Sequence, residues 1–222
     1  MTGAQVRVLP DAAAAAQAAA DAIAERVRAG VAGRGGFTLA LSGGTGPWQA
    51  FRLLAGMDVS WDGVEIFQVD ERVAPPGDDD RNLTHLEASL PPDAVARLRP
   101  MPVEADDLDA AAADYAALLP DRIDLVHLGL GPDGHTASLV PGDPVLEVRD
   151  RDVAITGEYQ GRRRMTLTYP ALERSRELLW LVTGESKADP LRRLLARDPA
   201  IPAGWIAGPP SLVVADRAAS GS

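Results

Sequence analysis

The sequence predicts an α/β fold: a mostly parallel, open, Rossmann-like sheet with helices on both faces. Two observations carry this. Short runs rich in Val, Leu, Ile and Phe alternate with helix-length stretches along the chain, and strands joined by a helix run parallel through right-handed crossovers. Helix-start residues, Asp11, Pro47 and Asp107, stand between the strand-like runs.

Taken in order, residues 5–9 read as a strand, and Asp11 caps an alanine-rich helix reaching about residue 29. A strand over 37–42 runs into a helix that opens at Pro47 and ends near Leu54. The next strand, 64–69, continues into Asp70, Glu71 and Arg72. The acidic run Asp78, Asp79, Asp80 reads as a loop and helix cap ahead of Leu83, Leu86 and Leu90. Asp107 opens a helix ending near Leu119, before a strand over 123–129. Strands follow over 153–156, 164–168, 178–183 and 211–214, with a helix over 187–196. No tandem repeat or linker interrupts the 222 residues, so one domain over 1–222 is expected. In open sheets of this kind ligands bind beyond the carboxyl ends of the strands, which is where chemistry is sought.

Composition narrows the class of function. The chain has no cysteine, which removes disulfides, thiolate catalysis and thiolate metal sites and suits a reducing compartment. The opening MTGAQVRVLP lacks the basic and apolar regions of a secretion signal, and no apolar stretch is long enough to span a bilayer. A cytoplasmic location is expected. The net charge of −10 opposes nucleic acid and anionic membranes as partners. A small phosphorylated ligand is compatible with it, provided that a site gathers a few cations. Of the 22 basic residues only Lys187 is a lysine, which singles it out.

Four segments carry candidate chemistry. In LALSGGTGPWQAF, a strand leads into Gly43, Gly44, Thr45 and Gly46 at a helix start. Glycines let backbone amides approach an anion, and the helix start adds unpaired N–H groups and a positive dipole end. The same segment also reads as a plain tight turn. Second, Asp70, Glu71 and Arg72 end a strand and can hold a polyol and a phosphate, or form a solvated charge cluster.

The third segment, DLVHLGLGPDGHTASLVPG, is the most specific. Gly129, Gly131 and Gly134 match the spacing of a dinucleotide-binding fingerprint. That reading fails: Asp133 places a negative charge where a pyrophosphate would approach, Pro132 removes an amide donor, and Asp152 precedes a strand where the ribose-binding acid should follow one. A short helical turn is expected to open at His135, where the dipole disfavours protonation and leaves a ring nitrogen free to act as a base. His127, inside an apolar strand, reads as a packed residue, and His85 as a helix residue. No paired metal-ligand spacing occurs, so neither metal nor cofactor is expected. Fourth, Arg164 heads a strand, and Lys187 follows the strand over 178–183 on the same rim as the glycine loop.

The segments LSGG, DER, GLGPDGHTASL, MTLT and TGESKA, in this order, resemble the 6-phosphogluconolactonases, and the resemblance runs from about Gln5 to Ala219. It implies hydrolysis of 6-phospho-D-glucono-1,5-lactone to 6-phosphogluconate in the oxidative pentose phosphate pathway, on a fold related to the sugar-phosphate isomerases. By matching position it assigns the general base to His135, sugar and water contacts to Asp70 and Asp133, and phosphate contacts to Gly43, Gly44, Thr45, Arg72, Arg164 and Lys187. The family commonly reads Gly-Gly-Ser-Thr-Pro where this chain has Gly43, Gly44, Thr45, Gly46 and Pro47, so Thr45 is left with its amide as the phosphate contact. The loop before Asn82, where the family often has a histidine and a serine, here reads Asp78 to Arg81, and no substrate contact is carried over from it.

Opening a lactone needs a base for water, donors for the oxyanion and a proton for the ring oxygen. His135 can take the proton and return it. Arg72 and backbone amides near Gly131 are the candidate oxyanion donors. The absence of a Gly-x-Ser-x-Gly elbow argues for direct water attack. The rivals are a glucosamine-6-phosphate isomerase/deaminase, whose glutamate has no counterpart in Thr136 to Pro141, and a non-catalytic sugar-phosphate-sensing domain, which would need an attached DNA-binding element. A monomer or weak dimer is expected, with a phosphorylated sugar lactone as its small-molecule partner.

Overall fold

The structure, a computed structural model, describes residues 4–221. Residues 1–3, which open the segment assessed above as a secretion signal, lie outside the described residues, as does Ser222. The chain begins with β1 (Ala4–Leu9), α1 (Ala12–Arg34), β2 (Phe37–Leu41) and α2 (Thr45–Ala55). It continues through β3 (Val64–Gln68), β4 (Asp70–Arg72), α3 (Asn82–Ser89), α4 (Pro92–Val95) and β5 (Leu98–Arg99). Then come α5 (Leu108–Leu118), β6 (Leu125–Leu128), β7 (Val153–Ile155), β8 (Arg164–Leu167) and α6 (Tyr169–Glu173). The last elements are β9 (Leu178–Val182), α7 (Ala188–Leu195), β10 (Ser211–Asp216) and α8 (Arg217–Ser220).

Seven strands form one sheet in the order β1-β10-β9-β6-β2-β3-β5, and every neighbouring pair is parallel. Side chains alternate between its two faces, as a period of two requires. Leu39, Leu41, Ile66, Leu179, Leu181 and Val214 pack with Ala50, Phe51 and Leu54 of α2 and the alanine face of α1. Ala40, Phe67, Val126, Leu128, Trp180 and Val213 point the other way, toward Ala111, Ala112 and Tyr115 of α5 and Leu191 and Leu194 of α7. Both faces are therefore buried, which explains why these strands read as nearly continuous apolar runs. No helix among the described residues is long and apolar enough to cross a membrane.

Two expectations are corrected. The run over 64–72 is not one strand: at Val69 the chain leaves the main sheet. Val69 N–H donates to Leu41 at 2.9 Å and its carbonyl accepts from Leu167 at 2.8 Å. β4 then joins a separate antiparallel sheet in the order β4-β8-β7. The first helix runs past Gly30 to Arg34 and stops at Gly35, whose φ of 74° is left-handed. Gly30 lies inside this helix at a position where a Cβ would fall 2.3 Å from the Phe37 ring.

The strand order reverses between β2 and β6. The connection after β2 leads toward β3 on one side, and the one after β6 leads toward β9 on the other. Loops leaving adjacent strands in opposite directions open a crevice at their carboxyl ends, which is the ligand position in open α/β sheets.

Candidate active site

A cleft of about 420 Å³ occupies that crevice, a size in the range of small-ligand sites. Its walls come from Ser42 to Pro47 after β2, Asp70 and Arg72 in β4, Asn82, Gly129 to Pro132 and His135 to Ala137 after β6, Arg164 in β8, and Leu181 to Thr183 with Lys187 around the end of β9. Gly43, Gly44, Thr45, Asp70, Arg72, His135, Arg164 and Lys187 are thus brought together, although they lie far apart in sequence. Asp133 is not part of the wall; it stands behind His135.

The glycine loop has a steric reason. A Cβ on Gly43 would fall 2.0 Å from Asn82 Oδ1, so glycine is what admits the asparagine. Gly44 caps α2 with a φ of 131° that a side chain would oppose. At Gly43, Gly44 and Gly46 the loop therefore brings backbone and the start of α2 to the cleft.

Asn82 then organises the opposite wall. Its Nδ2 donates to the Asp70 carbonyl at 2.8 Å and its Oδ1 accepts from Arg72 Nη1. The Asp70 carboxylate is buried and accepts from Ser138 Oγ at 2.6 Å. Glu71 does not join the site. It is fully buried and accepts from the N–H groups of Arg72 at 2.7 Å, Asn82 at 2.8 Å and Leu83 at 2.8 Å, and from Gln68 Nε2 at 2.9 Å. It is the remote cap of α3, a role the sequence suggested for Asp78 to Asp80, and a negative charge at a helix start is favourable there. Asp78 and Asp80 instead pair with Arg162 at 3.2 and 3.1 Å.

The cleft carries three cations, Arg72, Arg164 and Lys187, against one carboxylate, Asp70, in a chain of net charge −10. Arg164 is buried, stacks 5.0 Å over the Tyr159 ring and donates to Gln160 at 3.2 Å. Burial, then the nearby Arg72 charge, lower its pKa from the ordinary arginine value. Burial also lowers that of Lys187, against the pull of Asp133, and Lys187 forms no ion pair among the described residues. Partly dehydrated cations beside one another favour an anionic ligand.

No helix opens at His135. Residues 131–140 form an irregular turn closed by a Thr136–Leu139 bridge, with Ala137 left-handed at φ 52°. The dipole argument for His135 therefore fails. A different arrangement does its work: His135 Nδ1 lies 2.5 Å from Asp133 Oδ1, and His135 N–H reaches the same oxygen at 3.1 Å. Tyr159 OH donates to Asp133 Oδ2 at 3.2 Å. Burial works against ionisation of Asp133 but is outweighed by the His135 amide and ring and by Tyr159, so its pKa sits below the usual carboxylate value. An ionised Asp133 holds the proton on Nδ1 and leaves Nε2 as an acceptor. Gly131 makes room for the ring, because a Cβ there would lie 2.1 Å from Nδ1. Its own N–H is spent on the His135 carbonyl at 2.8 Å, so it is no oxyanion donor.

The loop itself is tied down. The Gly134 carbonyl accepts from Ala203 at 3.0 Å, and Thr136 Oγ1 donates to Gly129 at 2.9 Å. The other two histidines are built differently. His85 stacks on Trp48 at 5.2 Å, and His127 is fully buried, its pKa pushed down to about 4 by burial against a weaker pull from its own backbone. Sequence reasoning missed Asn82, Ser138 and Tyr159. Each acts through a partner distant in sequence, so no local pattern marks it.

The family described as glucosamine-6-phosphate isomerases/6-phosphogluconolactonase matches residues 10–214. A protein of Mesorhizobium japonicum named 6-phosphogluconolactonase is 38% identical over 189 residues, 80% of this chain and 79% of its own. One of the same name from Mycobacterium leprae is 32% identical over 234 residues, with 92% of each chain covered. Among solved structures, a 6-phosphogluconolactonase from Thermotoga maritima superposes with a TM-score of 0.85 at 25% identity, covering 95% of this chain and 98% of its own. A structure described as a monomeric glucosamine-6-phosphate deaminase has a TM-score of 0.84 at 20% identity, covering 98% and 99%, and shares the fold. By the extent of these matches, the chain belongs to the glucosamine-6-phosphate isomerase/6-phosphogluconolactonase family.

Proposed function

We propose that this protein hydrolyses 6-phospho-D-glucono-1,5-lactone to 6-phosphogluconate in the oxidative pentose phosphate pathway, as a cytoplasmic enzyme of one domain. The observation that carries the reading is the Asp133–His135 pair, at 2.5 Å, with His135 on the wall of a cation-lined cleft. The relatives named 6-phosphogluconolactonase, at 32 to 38% identity, support the same substrate.

In this mechanism the phosphate lies against Gly43, Gly44, Thr45 and the cations Arg72, Arg164 and Lys187. His135 Nε2 takes a proton from water as the water oxygen bonds to the lactone carbonyl carbon. Negative charge moves onto the carbonyl oxygen as the water adds. The imidazolium, stabilised by Asp133, then gives that proton to the ring oxygen as the carbon–oxygen bond breaks. Asp70, held by Ser138 and Asn82, faces the sugar hydroxyls.

The test is incubation of the purified protein with fresh lactone, with glucosamine 6-phosphate and with neither, subtracting spontaneous opening. Lactone turnover alone is expected, and His135→Gln should keep the fold while lowering kcat by about 10²- to 10⁴-fold. Release of ammonia from glucosamine 6-phosphate would favour the isomerase/deaminase branch. Phosphogluconate binding without turnover would favour a sensor.

A further inference from the structure

His127 has no part in the mechanism above, yet it sits fully buried in the middle of the sheet, where an apolar residue would pack without cost. Its Nδ1 lies 3.2 Å from Ser42 Oγ, the Phe51 ring packs edge-on at 5.3 Å, and Nε2 has no partner. A half-satisfied buried polar group calls for an explanation. A neutral imidazole carries one donor and one acceptor. If the proton were on Nε2, a buried N–H would be orphaned; if it is on Nδ1, the orphan is a lone pair. Orphaned buried N–H groups are the rarer outcome, so the proton belongs on Nδ1 and is donated to Ser42 Oγ.

Ser42 is itself buried, lines the cleft, and is the last residue before the glycine loop. With its oxygen accepting from His127, its own hydrogen is directed away from the sheet. We infer that His127 is a positioning residue that holds the Ser42 hydroxyl as a hydrogen-bond donor aimed at the phosphate end of the cleft. This rests on the phosphate reading of the site. Burial keeps the imidazole neutral at working pH, so the orientation is fixed rather than titrated.

The experiment uses the full chain and four variants: His127→Leu, His127→Asn, Ser42→Ala and the Ser42→Ala/His127→Leu double. His127→Leu should raise KM for the phosphorylated lactone about three- to tenfold, the size of one neutral hydrogen bond, with kcat within twofold. His127→Asn should restore KM, since its amide nitrogen can stand where Nδ1 stood. Ser42→Ala should match His127→Leu, and the double should be no worse than either. KM for unphosphorylated glucono-1,5-lactone should not move. Nitrogen NMR of labelled imidazole should find the His127 proton on Nδ1. A proton on Nε2, losses that multiply in the double, or an Asn variant as impaired as Leu with its melting temperature intact would each overturn the assignment. Should His127→Leu fail to fold, Ser42→Ala, His127→Asn and the nitrogen spectrum decide. A wild type that neither turns over lactone nor binds 6-phosphogluconate would overturn the proposed function, and the spectrum with a titration of inorganic phosphate into wild type and Ser42→Ala would still judge His127.

Discussion

Arg72 stands directly opposite Arg164 in the antiparallel ladder between β4 and β8, so two guanidinium groups enter the cleft from adjacent strands. Arg72 is one cause of the lowered Arg164 pKa. Like charges held side by side cost free energy until an anion comes between them. Arg72→Ala and Lys187→Ala should each raise KM for the phosphorylated lactone and lower kcat/KM about ten- to hundredfold, the worth of one charged hydrogen bond at roughly 1.5 to 3 kcal/mol. Equal losses on the unphosphorylated lactone would reassign both residues away from the phosphate.

Asp133 touches His135 rather than the cleft, which separates its role from substrate contact. Asp133→Asn keeps the shape but offers an amide in place of the carboxylate, so the ring loses the partner that fixes its tautomer. Turnover should drop about 10²- to 10⁴-fold with KM within a few-fold. A variant with raised KM and unchanged kcat would make Asp133 a sugar ligand instead.

Gly131→Ala tests the space behind the base. Its methyl group would meet His135 Nδ1 at 2.1 Å and Asp133 Oδ1 at 2.6 Å, so the dyad must separate. Circular dichroism should be unchanged while kcat falls about a hundredfold, the scale of misplacing a catalytic group by an ångström. Wild-type kcat in this variant would show that the dyad contact is dispensable.

His127 predicts an acid limb of stability. Its pKa is about 4 in the folded chain against an ordinary 6.5. As pH falls below 6.5 the unfolded chain gains a proton that the folded chain refuses, so stability declines across the window from 6.5 to 4. The loss reaches about 2 kcal/mol at pH 5. Urea midpoints for wild type and His127→Leu at pH 7 and pH 5 should show a smaller drop in the variant; parallel drops would mean His127 titrates normally.

No group of three or more His, Asp or Glu side chains is placed to hold a metal among the described residues. Activity should therefore survive exhaustive chelation unchanged. Full loss, restored by one divalent ion, would refute this.

How much of this was legible in the sequence depended on whether the cause was local. α1 and α5 start where Asp11 and Asp107 suggest, because a carboxylate three residues from an amide is a short-range event; each accepts from the predicted turn, at 2.8 and 3.0 Å. The strands of the main sheet were readable because both faces bury apolar side chains. The transfer of Asp70 to Arg72 into a second sheet was not, since it depends on pairing with Arg164 to Thr166, nearly a hundred residues on. The two-residue β5 has no pattern long enough to read. At the site, the residues facing the cleft were marked by glycine punctuation and charge. The order behind them was hidden, because Asn82 has no local mark and His135 looks like a helix start until Glu71, Gly43 and Asp133 are seen in place.

The parallel pairing of β1 with β10 has a consequence for biogenesis. Residues Ala4–Leu9 meet their ladder partners only when Ser211–Asp216 have been made. At translation rates of about 5–20 residues per second the first strand waits roughly 10 to 40 seconds beside the ribosome without its neighbour. During that interval Val6 and Val8, still 42% and 47% exposed in the finished fold, lie on an open edge able to pair with another nascent chain. The alternation with Gln5 and Arg7 in that strand keeps a polar or charged residue beside each valine, which opposes such pairing.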